Sequence, residues 1–337
     1  MSTIIRISTV VSLIVLSAFG LMAQTQKTEE VYCAYNGFEM VNLEIPLTEV
    51  FQGGPGKDGI PSLEIPRFAN GEKVDFITDD EMVIGVTMNG VTKAYPVRIM
   101  NYHEVINDMF GDEQVAVTFS PLTASAAAFS SGVDGETRTF SVSGLLYNNN
   151  LLFYDWETES LWSQMMGQAV SGSSSDKSLT QVPAQVCTWG AWRAKHPETR
   201  VLSPRTGYKR QYDMDPYAMF GPESRRLMFP INFRDKKLPL KEQVLGVNIN
   251  GQTRAYPLAL LASNGSEPVI DEVNGQTVFI TYDNVAKTAW AANEAGDILP
   301  TFTTYWFAWS AFHPETDIYG VMPEKYNLAM QFLTGGR

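Results

Sequence analysis

Met82-Val83-Ile84-Gly85-Val86-Thr87-Met88, Asn89-Gly90, Val91-Thr92-Lys93-Ala94-Tyr95-Pro96 is a pair of apolar runs around an Asn-Gly dipeptide. Asn-Gly in that setting marks a β-hairpin, because the tight two-residue turn needs positive φ at both central positions. The pattern returns as Val244-Leu245-Gly246-Val247-Asn248-Ile249, Asn250-Gly251, Gln252-Thr253-Arg254-Ala255-Tyr256-Pro257, at a constant offset of 161 (246 − 85, 251 − 90 and 257 − 96). Val105-Ile106-Asn107-Asp108 is answered by Val269-Ile270-Asp271-Glu272, and Val115 to Ser120 by Val278 to Asp283. Farther on, Trp189-x-x-Trp192-x-x-x-His196-Pro197-Glu198-Thr199 matches Trp306-x-x-Trp309-x-x-x-His313-Pro314-Glu315-Thr316 at an offset of 117 (313 − 196). The second copy is therefore shorter by about 44 residues, the difference of the two offsets. The shortfall falls on Thr137 to Ser175, where Arg138 to Leu146 and Asn150 to Trp156 read as strands around an Asn-rich turn.

Between hairpin and insertion, the segment from Val97 reads as helix, a Gly111 turn, and a buried strand over Val115 to Phe119. Ser120-Pro121 then reads as the start of a second helix, since Ser caps well and Pro is tolerated at the first helical position. The expected fold is α+β. It has two unequal repeats of a hairpin-helix-strand-helix unit, β-rich, with extra strands inserted in the first. The expected organisation is a signal peptide at 1–23, a loop-rich segment at 24–62, the first repeat at 63–220 and the shorter second repeat at 221–337.

Arg6, the apolar run from Ile7 to Leu21 and Ala23 form the pattern of a secretory signal peptide, too short and too serine-interrupted for a permanent span. The chain is then exported, to the periplasm or beyond. Its net charge of −12 becomes −13 when residues 1–23, which hold only Arg6 among charged residues, are removed. Such acidity repels phosphate backbones and excludes nucleic acid as a partner class. A 44% apolar content supports a large core. The two cysteines, Cys33 and Cys187, either pair or stand as one exposed and one buried thiol. The Gly53 to Gly59 run lacks the Gly-Lys-Ser/Thr ending of a phosphate loop and reads as a connector.

Asp58-Gly59-Ile60-Pro61, Ala94-Tyr95-Pro96, His103-Glu104-Val105-Ile106-Asn107-Asp108, Val115-Ala116-Val117-Thr118-Phe119 and Thr206-Gly207-Tyr208 stand in one order. From about Gly53 to about Phe220, this sequence resembles the bacterial domain of unknown function 3179 family. In that family the strand is usually followed by Cys-Pro-Leu-Cys, where this chain has Ser120 and Thr123. The resemblance thus implies a fold and a pocket location without thiol chemistry, because neutral hydroxyls are weak nucleophiles and poor ligands for soft metals.

His103 and Glu104 lie before the strand that leads to Ser120 and lack counterparts in the second copy, which has Asn264-Gly265-Ser266-Glu267 there. They are the candidate catalytic residues, with His103 as base to Ser120. The absent Gly-x-Ser-x-Gly elbow weighs against that chemistry, since an N-cap Ser spends its oxygen on the helix. The candidate ligand-binding residues are Ser120, Thr123, Tyr208, Arg210 and Tyr217. The last three lie in a run from Thr206 to Tyr217 that is either a recognition surface or a connector over the seam between the copies. His196 and His313 close helices and read as structural. No metal or cofactor is expected. The leading reading is an exported binding or accessory protein for a small molecule or an envelope protein. The alternatives are a hydrolase-like enzyme using His103, Glu104 and Ser120, and a structural envelope component.

Overall fold

The computed structural model describes residues 32–265 and 267–321. The expected signal peptide and the end of the second repeat lie outside the described residues. The chain is not α+β. With 41% strand and 12% helix, it is built from five sheets of three to five strands in a propeller-like arrangement, with two small two-stranded ribbons.

Each Asn-Gly hairpin founds one sheet. In the first, Ala184–Thr188, Met82–Met88, Val91–Pro96, Arg200–Leu202 and Phe68–Asn70 lie side by side in that order. In the second, Phe302–Tyr305, Gln243–Ile249, Gln252–Pro257 and Asp317–Ile318 follow the same order. Each sheet has antiparallel pairs at the hairpin and a parallel pair beyond it, Arg200 with Lys93 and Asp317 with Arg254. Both turns have the required left-handed backbone: φ is 50° and 72° at Asn89 and Gly90, and 49° and 89° at Asn250 and Gly251.

The Trp helices, Trp189–Lys195 and Trp306–Phe312, cover these sheets. Gly85 and Gly246 make room for the indoles, since a Cβ there would come within 2.4 Å of Trp192 and 2.3 Å of Trp309. Each buried indole N–H finds a hydroxyl, Trp192 Nε1 donating to Thr199 Oγ1 and Trp309 Nε1 to Thr316 Oγ1, both at 3.0 Å. His196 and His313 lie 4.1 Å from those rings, centroid to centroid.

The expected helices between these landmarks are mostly strands. Only Val97–Met100 is helical after the first hairpin, and Val105–Phe110 is a strand paired with Glu113–Ser120. Ser120 ends that strand and caps no helix. Pro121 to Ala124 turn the chain back into a third strand, Ser125–Ser130, with Ala124 at φ 51°. Alanine favours helix in isolation. Here Ala126, Ala127 and Ala128 are buried, leaving no polar stripe for a surface helix, and packing overrides propensity.

The insertion forms a sheet of its own, ordered Gln168–Ser171, Leu161–Ser163, Asn150–Asp155, Phe140–Tyr147, Val50–Gln52. The Gly53 to Gly59 connector lies across it, with Gly53 N–H donating to the Gly144 carbonyl and Asp58 N–H to that of Val142. Gly144 permits this approach, since a Cβ there would meet the Pro55 carbonyl at 2.3 Å. Cys187 is a buried free thiol that burial pushes up to about 12.

Candidate functional site

The loop from Asn101 to Glu104 reverses the chain between the Val97–Met100 helix and the Val105–Phe110 strand. Its N–H at Glu104 donates to the Met100 carbonyl at 2.8 Å, and the Glu104 carbonyl accepts from Phe119 N–H at 2.8 Å. Glu104 is thereby held next to the end of the strand that carries Ser120. It sits at φ 56°, a left-handed conformation that costs a residue with a Cβ about 1–3 kcal/mol and that clusters at functional sites.

His103 and Glu104 are both buried, and both are bonded to the run from Thr206 to Tyr217. His103 Nδ1–H donates to the Pro61 carbonyl at 2.7 Å, so its Nε2 accepts from the Tyr212 hydroxyl, also at 2.7 Å. Tyr212 in turn accepts from Thr206 Oγ1 at 2.6 Å. Burial lowers the imidazole to about 4, with the Pro61 bond opposing and the nearby Arg210 charge assisting, so it is neutral at pH 7. With both ring nitrogens engaged, His103 is not placed as base to Ser120. Glu104 Oε1 accepts from the Tyr217 hydroxyl at 2.8 Å. Burial raises this carboxyl to about 7, the Tyr217 bond partly offsetting it. Tyr217 is itself raised, by burial and then by the Glu104 charge.

The run from Thr206 to Tyr217 is thus a strap over the loop. Arg98 pairs with Asp213 at 2.5 Å, Asn101 Nδ2 donates to Asp215 at 3.2 Å, and Tyr102 OH donates to backbone carbonyls at Gln211 and Met214. Farther along, the Asn148 and Asn149 side chains of the inserted sheet bind the backbone of Asn232 and Phe229.

Behind Glu104 lies a cavity of about 30 Å³ whose polar lining is Glu104, Ser120 and Tyr217, against Ile60, Leu122 and Leu151. Ser120 Oγ accepts from Leu151 N–H at 3.2 Å. Thr123 is fully buried and outside this lining, spent on Ser125 Oγ at 2.8 Å, Asn150 Nδ2 at 3.0 Å and the Ser120 carbonyl at 3.3 Å. Asn150 and Gln164 complete that uncharged network. Tyr208 lies outside, half exposed, with its ring 5.5 Å from that of His103, and Arg210 is exposed on the strap. Among the described residues no three His, Cys, Asp or Glu side chains gather to hold a metal.

The structure thus brings His103, Glu104, Ser120 and Tyr217 to one place and sets Thr123, Tyr208 and Arg210 around it. Sequence reasoning missed Tyr212, whose hydroxyl reaches His103 from 109 residues away. It also missed a buried ion pair: Lys93 Nζ meets the Asp108 oxygens at 2.7 and 2.8 Å, and Tyr95 OH donates to Asp108 at 2.6 Å. The second unit repeats this with Arg254 and Tyr256 on Asp271, each at 2.9 Å. Its presence in both units assigns it to the fold.

The family profile described as protein of unknown function (DUF3179) matches residues 57–299. The chain belongs to the DUF3179 family. The match reaches well past Phe220, the expected limit, so both hairpin units fall within the DUF3179 region. Comparison with curated proteins and with solved structures finds no match. No helix among the described residues is long and apolar enough to cross a membrane.

Proposed function

We propose that this DUF3179 protein is an exported binding or accessory protein whose small-molecule site is the cavity behind Glu104. The observation that carries the reading is Glu104 itself. Glu104, a 6%-exposed residue in a left-handed backbone conformation, faces a largely apolar cavity whose lining holds no cation. Burying such a group costs stability that packing alone does not require. The strap supplies the outer wall through Tyr217. Export is supported by the Arg6, apolar, Ala23 pattern of the first 23 residues.

Native mass spectrometry of the full chain, purified from the exported fraction, tests this. A retained small-molecule adduct is expected, lost from the double variant Glu104→Gln, Tyr217→Phe. An adduct-free parent, or an adduct that persists in the variant, overturns the reading, and intact Met1 in a membrane fraction overturns export.

A further inference from the structure

We propose that the outer face of residues 219–237 docks on an anionic phospholipid surface. The cavity behind Glu104 plays no part in this.

From the short turn Ala218–Phe220 to the strand Gln243–Ile249 the chain forms no helix or strand, yet it is pinned at both ends and in the middle. Lys241 Nζ donates to the carbonyls of Phe220 and Gly221, which ties the two ends of the loop together. Halfway along, Asn149 Nδ2 donates to the Phe229 carbonyl at 2.8 Å, Asn232 N–H donates to Asn148 Oδ1 at 2.9 Å, and the Phe229 ring stacks on Phe51. Leu227, Ile231, Leu238 and Leu240 pack inward against the core. Pro222, Pro230 and Pro239 each fix φ, so the loop loses little further freedom when it meets a partner.

The side chains left on the outside are basic and apolar. Residues 220–241 hold six Lys and Arg against Glu223 and Asp235, a net +4 (6 − 2), so the rest of the chain carries −16 (−12 − 4). Arg225, Arg226, Arg234 and Lys236 are exposed, and among the described residues none of them forms an ion pair. Asp235 is folded under, its side chain 9% exposed, while its partner Lys237 is 45% exposed. Among these cations Met219, Met228 and Phe233 stand 67%, 40% and 37% exposed.

Apolar side chains standing free among unpaired cations suit the headgroup region of a bilayer, where Met and Phe reach the acyl boundary and Arg and Lys meet lipid phosphates. The planar guanidinium fork matches a phosphate in particular. The acidity of the remainder does not forbid the contact, because charges farther than about 8–10 Å from the lipid are largely screened at physiological ionic strength. It orients the molecule instead, with the loop foremost. Such a contact needs no spanning helix, and none is present among the described residues.

Flotation of the chain from the exported fraction with vesicles of phosphatidylglycerol and phosphatidylcholine, against vesicles of phosphatidylcholine alone, is the test. Binding to the anionic vesicles is expected, at least about tenfold weaker to the neutral ones, and falling as salt is raised. Arg225→Gln with Arg226→Gln should weaken it by about tenfold or more, since each basic residue near an anionic surface is worth about fivefold. Lys73→Gln with Lys287→Gln removes the same charge outside the loop and should leave binding within about twofold of the parent. Met228→Ser with Phe233→Ser should weaken binding at high salt as well as low. The proposal is overturned if neither vesicle binds, if both bind alike, or if the two charge pairs act equally. It is also overturned if soluble poly-glutamate, and no vesicle, binds through Arg225 and Arg226, which would make the face a site for an acidic protein.

Discussion

The two loops that follow the Asn-Gly hairpins make the same reversal with different residues. In the second unit the reversal after Leu258–Ser263 passes through Asn264 and Gly265, with Gly265 at φ 82°, where glycine has no Cβ to strain. In the first unit the left-handed position is Glu104 at φ 56°, and its side chain is buried. Around these loops the units agree: the hairpins, the Trp helices, the Thr hydroxyls on the indoles, and the ion pair below the Tyr residue. What the units share is what the sheets need to fold. Where they part, at His103, Glu104 and the strap that reaches them, the first unit carries polar groups that folding alone does not ask for.

The ion pairs sharpen this comparison most. Lys93 and Asp108 have side chains 10% and 7% exposed, whereas Arg254 and Asp271 are 26% and 15% exposed. Lys93→Met should cost about 3–5 kcal/mol, because it leaves a buried carboxylate unpaired. Arg254→Met should cost only about 1 kcal/mol, since water reaches its partner. Urea denaturation of the two variants measures both. Equal losses would mean that the second unit is as closed as the first.

A second difference is visible in pH dependence. Glu104 has its ordinary value of 4.5 raised to about 7 in the folded chain, so its contribution is complete below 4.5 and is lost as pH rises through 7. His103 has 6.5 lowered to about 4, so the unfolded chain binds the extra proton between those values and stability rises with pH across that window. His313, also held at about 4 by burial, acts with His103. In the parent the opposing slopes partly cancel. Glu104→Gln should expose the slope of the two histidines, a gain of about 5 kcal/mol from pH 4 to 6.5. A slope unchanged from the parent would show that Glu104 titrates normally.

The smallest effect comes from giving the first loop the second loop's residue. Glu104→Gly relieves the left-handed strain, about 1–3 kcal/mol, and forfeits the Tyr217 bond, about 0.5–1.5 kcal/mol. The net change in thermal unfolding should lie between a loss of about 0.5 and a gain of about 2.5 kcal/mol, with ligand binding abolished. A loss of several kcal/mol would make Glu104 a structural residue and dissolve the contrast between the loops.

The parts of this architecture that are local in sequence could be read there. The Asn-Gly turns, the Trp-x-x-Trp-x-x-x-His-Pro helices and the strands around Asn148 and Asn149 each follow from a few neighbouring residues. Val105 to Asp108 and the Ala126 to Ala128 run could not, because their states depend on sheets stacked against them, and a buried strand and a buried helix share an apolar composition. Glu104 was legible as a departure from the second copy. Its partners Tyr212 and Tyr217 were legible only as a cluster of tyrosines, since nothing in the sequence says which buried atom a hydroxyl will reach.

The turn at Thr123 has a further meaning. Its carbonyl accepts from both Tyr305 N–H and Thr304 Oγ1, at 3.1 and 2.9 Å, two donors on the outermost strand of the second hairpin sheet. The second unit is therefore scaffolding for the first, clamping the corner from which Ser120 and Leu122 enter the cavity. Excising residues 63–220 as a minimal binding module would strip that corner of its clasp. The shorter copy, which lacks the His103-Glu104 pair, is in this sense what lets the longer copy keep its cavity in shape.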